Sequence, residues 1–421
     1  MLDKMEYPLE DEQRDLGAIA ASMADVVPAL APRLNGWRKH LAESLAAAHT
    51  PLATESVLEA SVRALRHVWL EAAASSTSKT YRSPAEDERT VTPAGRFHNF
   101  GYERDLQPTS LEARCARFFA PPPPGWTAAH VLFSSGQAAM NAVLTLLSSD
   151  QSGPSRLCYQ GCYFETAELL ALYKTDFHPA PSEEAEILVA EPVWHDGRRF
   201  GTTPLRAVAA DANRAGTKAI VIDSTLAGLD DGLNTLLSAL NRPVTIFRLH
   251  SGLKLFEAGL ELADVGIVSV LGPARADDLR RIRTLQGSGL RFADVAALEL
   301  PLFLDAAATR AYETAIFHNN AALAEAARTN PAFAVSYPDR APYVIFNLSS
   351  PSLYQGLDDR IAAEAARRNL SFTRGGSFGF RGHRFETVRP DGKPPFLRVA
   401  MGKRAGPSCQ GILDLFRRFA P

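Results

Sequence analysis

The chain has 421 residues, 46% of them hydrophobic and 22% charged, with a formal net charge of −2, the balance of an ordinary soluble globular protein of two or three domains. Charge this even, with no basic run, argues against a nucleic-acid surface, and no uncharged apolar stretch is long enough to span a bilayer. Met1 to Glu6 opens no apolar segment, so no secretory leader is expected. Cys115, Cys158, Cys162 and Cys409 show no metal-ligand pairing, which leaves a reduced, cytoplasmic enzyme as the expected class. Cys158 and Cys162, on and just after an apolar strand, read as packing residues.

Residues 1 to about 80 read as helices. Leu16 to Leu30 is Ala-rich and amphipathic, with Pro32 ending or restarting it. Trp37 to Ala48 and Glu55 to Ala74 follow, and Val57, Ala60, Val62, Leu65, Val68 and Leu70 approximate a helical stripe. Ser75 to Gly95 is a Ser/Thr/Pro-rich linker. After the stiff turn Pro121–Gly125, strands alternate with helices. The strands are His130–Phe133, Arg156–Tyr159, Ile187–Ala190, Ala219–Ile222, Val244–Leu249 and Val265–Val270; the helices include Gln137–Leu147, Thr166–Tyr173 and Leu205–Ala215. Such alternation predicts an α/β fold, a mostly parallel sheet with helices on both faces. From about residue 300, a long helix, a strand near Tyr343–Leu348, a helix near Leu357–Arg368 and Phe396–Met401 predict a smaller α+β unit. The expected domains are therefore a helical extension and linker (1–95), a large domain (96–300) and a small C-terminal domain (301–421).

Three stretches place chemistry at one edge of that sheet. The strand Val244–Leu249 runs into His250-Ser251-Gly252-Leu253-Lys254. The strand Ala219–Ile222 ends in Asp223, with Ser224 and Thr225 after it. The strand through Phe133 ends in Ser134-Ser135-Gly136-Gln137 at the start of an Ala-rich helix. Ligands of open α/β sheets bind beyond the carboxyl ends of the strands, and the first amides of a helix favour an anion. A lysine, a carboxylate and an anion cradle on neighbouring strand ends form the expected site of pyridoxal 5'-phosphate (PLP). Lys254 would be its covalent anchor, Asp223 the partner of its ring nitrogen and the helix start the holder of its phosphate.

Further segments resemble the Cys/Met-metabolism family of fold-type I PLP enzymes, the group of cystathionine gamma-synthase, cystathionine gamma-lyase and methionine gamma-lyase. Tyr102-Glu-Arg104-Asp-Leu-Gln-Pro108-Thr109, with Leu111-Glu112, is similar to the family's Tyr-x-Arg-x-x-Asn-Pro-Thr segment. Tyr163-Phe-Glu-Thr166 resembles its Tyr-Gly-Gly-Thr segment. Arg310 to Pro338 resembles the long helix and exit of its small domain, and Leu397-Arg398-Val-Ala-Met-Gly402 the strand that carries its substrate-carboxylate arginine. These matches keep the family's order from about Phe97 to the C-terminus.

The resemblance implies roles. Lys254 is the cofactor lysine and the base at Cα. Gly136 and Gln137 give amides to the phosphate, Ser135 and Ser251 give hydroxyls, and Thr225 is a further cofactor contact. Tyr163 stacks on the ring. Tyr102, also a catalytic candidate, and Arg104 reach the cofactor of a neighbouring subunit, so a homodimer at least, and a homotetramer by resemblance, is expected. Arg398 binds the substrate carboxylate, assisted by Ser377. No metal, nucleic acid or membrane partner is expected. Several positions depart from the family. Leu253 replaces a threonine, His195 falls where an asparagine contacts the cofactor's phenolic oxygen, and Ala258-Gly-Leu-Glu-Leu262 replaces Gly-His-Ser-Asp. The N-terminal extension is also long, open between a structural cover or oligomer contact and a substrate lid. The expected activity is elimination or replacement at Cγ of a specialised amino acid whose leaving group is a thiolate, ester or halide. A cysteine-type β-lyase, an aminotransferase and a catalytically silent PLP-fold protein are the alternatives.

Overall fold

The computed structural model describes residues 8–85, 90–150, 153–390 and 392–420. The first seven residues, on which the leader reading rests, and residues 86–89 of the linker lie outside the described residues. Seven strands form one sheet: β1 (Ala128–Phe133), β2 (Ser155–Gln160), β3 (Phe177–Pro179), β4 (Ile187–Ala190), β5 (Ala219–Asp223), β6 (Thr245–Ser251) and β7 (Gly266–Leu271). Their order is β1-β7-β6-β5-β4-β2-β3. Only β7 runs against the rest, antiparallel to both β6 and β1. The central strands are apolar on both sides because both sides are covered. Val189, Val221, Phe247 and Val268 pack on the face that carries Gly136–Ser149. Leu188, Ile220, Ile222 and Ile246 pack on the face that carries Leu205–Ala215. The short edge strand β3 was not expected from the sequence; it has three residues and ends in proline, which leaves no periodic signal. At the opposite edge Glu112 accepts from the Leu132 amide, while Arg283 donates to both Glu112 and the Leu132 carbonyl. Those bonds satisfy backbone groups that an edge strand leaves open.

The second sheet, of five strands, comprises β8 (Ala334–Ser336), β9 (Val344–Asn347), β10 (Phe372–Arg374), β11 (His383–Val388) and β12 (Phe396–Ala400), ordered β8-β9-β12-β11-β10. The helices Ala306–Arg328 and Pro407–Arg418 pack on it through Leu323, Ala327, Ile412 and Phe416.

The extension is three helices, α1 (Leu9–Val26), α2 (Ala31–Ala47) and α3 (Pro51–Thr77). The sequence placed the first break at Pro32, but it falls at Val27–Pro28. Pro32 sits in the first turn of α2, where its missing N–H costs nothing. Likewise α3 opens at Pro51, with the Thr50 hydroxyl accepting from the Ala53 amide. Leu16, Ile19, Met23, Trp37, Leu58, Leu65 and Trp69 share one core with Leu255, Phe256, Leu260, Val295 and Phe303. Arg66 donates to the carbonyls of Leu260 and Glu261, and Trp69 Nε1 to that of Ala297 at 2.8 Å. The extension is thus built into the fold, over the chain that follows Lys254. It is also ion-paired to the second sheet's loops. Arg381 forks onto Glu12 (3.0 and 2.6 Å) and contacts Asp15, Lys403 pairs with Asp15 at 2.8 Å, and Arg404 pairs with Glu59. Among the described residues, no helix is long and apolar enough to cross a membrane.

Candidate active site

The register brings the predicted residues to one edge. Phe133 and Ser251 both lie opposite Gly266, Leu249 lies opposite Asp223, and Ile222 opposite Ala190. The ends of β1, β6, β5 and β4 therefore form one rim. Gly266 is needed there, since a Cβ on it would fall 2.0 Å from the Ser135 carbonyl oxygen.

Thr225 ties two strand ends together. Its amide donates to Asp223 Oδ1 at 3.0 Å, and its hydroxyl accepts from the Ser251 amide at 3.0 Å. Burial pushes the Asp223 carboxyl above its ordinary pKa, so a cationic N–H donor would be well matched there. At the helix Gly136–Ser149, the Ser135 hydroxyl caps the helix by accepting from the Ala138 amide at 3.1 Å. The Gly136 and Gln137 amides have no partner among the described residues, the usual state of a helix's first donors. A Cβ on Gly136 would lie 3.3 Å from that of Ser251, which places the helix start beside β6.

Lys254 follows β6 in the single turn Gly252–Leu255. Its Nζ donates to Ser377 Oγ at 2.5 Å and lies 5.5 Å from the Phe378 ring centre. Partial burial, and then the charge of Arg398, lower its pKa, which favours a neutral amine. Tyr163 precedes the helix Phe164–Leu172, and its hydroxyl donates to Glu165 at 2.7 Å. Its backbone is held by Glu191, which accepts from the amides of Cys162 and Tyr163 and from the Tyr159 hydroxyl. Burial, with Asp223 nearby, pushes Glu191 up to about 7.

Arg398 on β12 lies opposite Glu386 on β11. Its Nε donates to Glu386 Oε1 at 2.8 Å, its Nη2 contacts the same oxygen, and the Ser377 amide donates to it at 3.1 Å. The guanidinium sits 5.4 Å from the Tyr343 ring centre. His195 lies in the hairpin Val193–His195/Phe200–Thr202 among the rings of Phe200, Tyr343 and Phe396. Burial, then Arg398, lower its pKa to about 4, and its Nδ1 is buried without a partner among the described residues. Cys158 and Cys162 are free and half-buried, their thiol pKa values raised by burial.

The structure thus brings Ser135, Gly136, Gln137, Tyr163, Asp223, Thr225, Ser251, Lys254, Ser377 and Arg398 to one region, with His195 beside Arg398. Among the described residues, the contacts of the Tyr102 and Arg104 side chains are not to Lys254 or Asp223. Tyr102 is 57% exposed, Arg104 lies over its ring at 5.3 Å, and the pair's ion contact is to Asp105. Sequence reasoning missed Glu165, Glu191, Tyr343, Phe378 and Glu386. The acidic residue within Tyr163-Phe-Glu-Thr166 was visible; Glu386 meets Arg398 through strand register, and Glu191, Tyr343 and Phe378 lie outside the strands, on segments that the tertiary fold brings to the site.

No family model matches the chain, and no curated protein matches it. Solved structures do. A methionine gamma lyase from Micromonospora echinospora in its apo form is 21% identical, with a TM-score of 0.58, over 81% of this chain and 91% of that one. A cystathionine gamma-lyase from Lactobacillus plantarum complexed with L-serine is 18% identical, with a TM-score of 0.56, over 80% and 91%. A cystathionine gamma synthase from Xanthomonas oryzae pv. oryzae in complex with cystathionine is 16% identical, with a TM-score of 0.57, over 84% and 97%. Identities this low show a shared fold, the fold-type I architecture the sequence predicts.

Proposed function

We propose that this chain is a PLP-dependent enzyme acting at Cγ of an amino acid, as a lyase or a γ-replacing transferase. One observation carries the reading. The buried carboxyl of Asp223, the Lys254 amine and the amides of Gly136 and Gln137 at a helix start stand along the rim of one sheet. That donor set fits the three ends of PLP: ring nitrogen, aldehyde carbon and phosphate. Asp223 would hold the ring nitrogen protonated, Gly136, Gln137 and Ser251 the phosphate, and Tyr163 one ring face. When bound, PLP supplies an electron sink for negative charge developing on the substrate carbons.

The rest is the protein's own work. Lys254, with its depressed pKa, takes a proton from Cα and, once it has given that proton up, takes a second from Cβ, because γ-departure requires both to be labile. Tyr163 or, from a second subunit, Tyr102 supplies a hydroxyl near the departing group. Arg398 orients the substrate carboxylate, a geometry a lysine would not reproduce. The family resemblance and the structural likeness to gamma-lyases and a gamma-synthase support chemistry at Cγ. Leu253, His195 and Glu261 depart from that pattern and support a specialised substrate, with halide among the candidate leaving groups. An oligomeric, cytoplasmic enzyme is part of the same proposal.

Borohydride reduction followed by peptide mapping tests the cofactor half: the added mass should sit on Lys254, and a label on another lysine overturns it. Incubation of an unreactive substrate analogue in deuterated water tests the reaction half. Deuterium should enter both Cα and Cβ. Exchange at Cα alone points to a β-lyase or, with stoichiometric pyridoxamine phosphate, to an aminotransferase.

A further inference from the structure

We infer that Glu386 is a specificity-determining residue that occupies Arg398 in place of a substrate carboxylate and must be displaced by it. The inference rests on Arg398 being the carboxylate-binding group proposed above.

Glu386 and Arg398 are cross-strand partners on β11 and β12. One carboxylate oxygen, Oε1, takes both Nε and Nη2 of the arginine and also the Ser377 amide. The contact is built into the backbone on both sides. A Cβ on Gly376 would lie 2.9 Å from Glu386 Oε2, so only glycine lets the carboxylate approach this closely without adjustment. Ser377 adopts a left-handed conformation, φ 72°, costly for a non-glycine residue, and its amide is turned onto Glu386. The same serine's hydroxyl accepts from Lys254. Glu386 therefore stands where the substrate's carboxylate, the arginine and the lysine-bound serine meet.

The two side chains are partly exposed, Arg398 at 19% and Glu386 at 24%. A fully buried pair would be locked by the cost of stripping one charge of its partner, whereas a partly solvated pair exchanges partners readily. An incoming α-carboxylate competes with Glu386 for the same two N–H groups and meets its charge. A substrate with a blocked carboxyl meets neither obstacle.

Calorimetric titration of the full-length holoenzyme with L-norleucine, which has no γ-leaving group, and with L-norleucinamide separates the cases. Glu386→Gln should tighten norleucine about tenfold, the worth of freeing one charge-assisted contact, and change norleucinamide by less than about twofold. Glu386→Asp keeps the charge but shortens the reach, so it too should bind norleucine more tightly than wild type; a field effect alone would leave it unchanged. Arg398→Gln should weaken norleucine. If Arg398→Gln weakens norleucine while neither Glu386 variant tightens it, the inference fails and the arginine's role stands. If Arg398→Gln leaves norleucine affinity unchanged, the arginine's role fails and takes the inference with it. Equal tightening of norleucine and its amide also overturns the inference, since it would mean Glu386 does not read the carboxylate.

Discussion

Gly379 lies directly against the backbone of Lys254: a Cβ on Gly379 would fall 2.0 Å from the Lys254 carbonyl oxygen and 2.8 Å from its Cα. The loop that carries Ser377 is thereby pressed onto the turn that carries the lysine, which is how a serine more than a hundred residues away reaches Nζ. Gly379 also has φ +93°, which side chains rarely adopt. Gly379→Ala should therefore cost about 3 kcal/mol or more, combining a clash with backbone strain. Gly287, at φ +62° with open space around it, isolates the strain; Gly287→Ala should cost about 1–2 kcal/mol. Urea denaturation of both variants checks the difference.

The strands, and the place of Lys254 just past one of them, were legible because buried strands read as β-branched runs with turn residues at their ends. Ile187–Ala190, Ala219–Asp223 and Thr245–Ser251 all have this form. Asp223 and Lys254 follow such runs, so their shared rim could be read locally. Glu386 could not. It and Arg398 are twelve residues apart on two strands, and only register puts them opposite each other. The Arg381–Glu12 fork joins residues 369 apart, which no window of sequence shows. The resemblance put His195 near a cofactor position; its ring is packed among Phe200, Tyr343 and Phe396, neighbours drawn in part from the second sheet. Helix breaks were misplaced for a different reason: Pro28 and Pro32 look alike in sequence, and only the cap geometry separates a breaker from a first-turn residue.

The extension's attachment should be acid-sensitive. Burial works against the charged form of Asp15, but Arg381 and Lys403 outweigh it and hold its carboxyl at about 2. A lowered folded-state pKa stabilises above the unfolded value, and that contribution is lost as pH falls toward the folded value. Asp15→Asn should therefore be roughly 1–2 kcal/mol less stable than wild type at neutral pH. The gap should begin to close below about pH 5 and be lost as pH falls through about 2. Urea titrations of both proteins from about pH 7 to about pH 2 test this; a gap independent of pH would show that the pairing contributes nothing through charge.

Glu191 should behave in the opposite sense. Its folded pKa is raised to about 7, chiefly by burial, so the native state keeps a proton that the unfolded chain releases from about pH 4.5 upward. Wild-type stability should fall, relative to Glu191→Gln, as pH rises through that window, and the difference should level off above about pH 7 at roughly 1–3 kcal/mol. The amide cannot serve the Tyr159 hydroxyl and the amides of Cys162 and Tyr163 as two carboxylate oxygens do. The variant should also loosen the Tyr163 loop and raise KM for amino-acid substrates. A pH-independent stability difference would remove Glu191 as the titrating group.

Tyr102 and Arg104 test the assembly. In one chain they are exposed and touch each other and Asp105, not the lysine or Asp223. An exposed aromatic beside a half-paired arginine is a pattern suited to completing a second copy's anion site. Arg104→Ala and Lys254→Ala should each be inactive alone, the first for want of the donated arginine and the second for want of its own lysine. Mixed under conditions of subunit exchange, they should recover up to about a quarter of wild-type activity. Random pairing makes half of the dimers hybrids, and each hybrid contains one site with neither substitution. The hybrid's other site carries both. Size-exclusion chromatography of differently tagged chains verifies the exchange, and activity is then measured against time. Exchange without recovery would place Arg104 in its own subunit's site or outside any site.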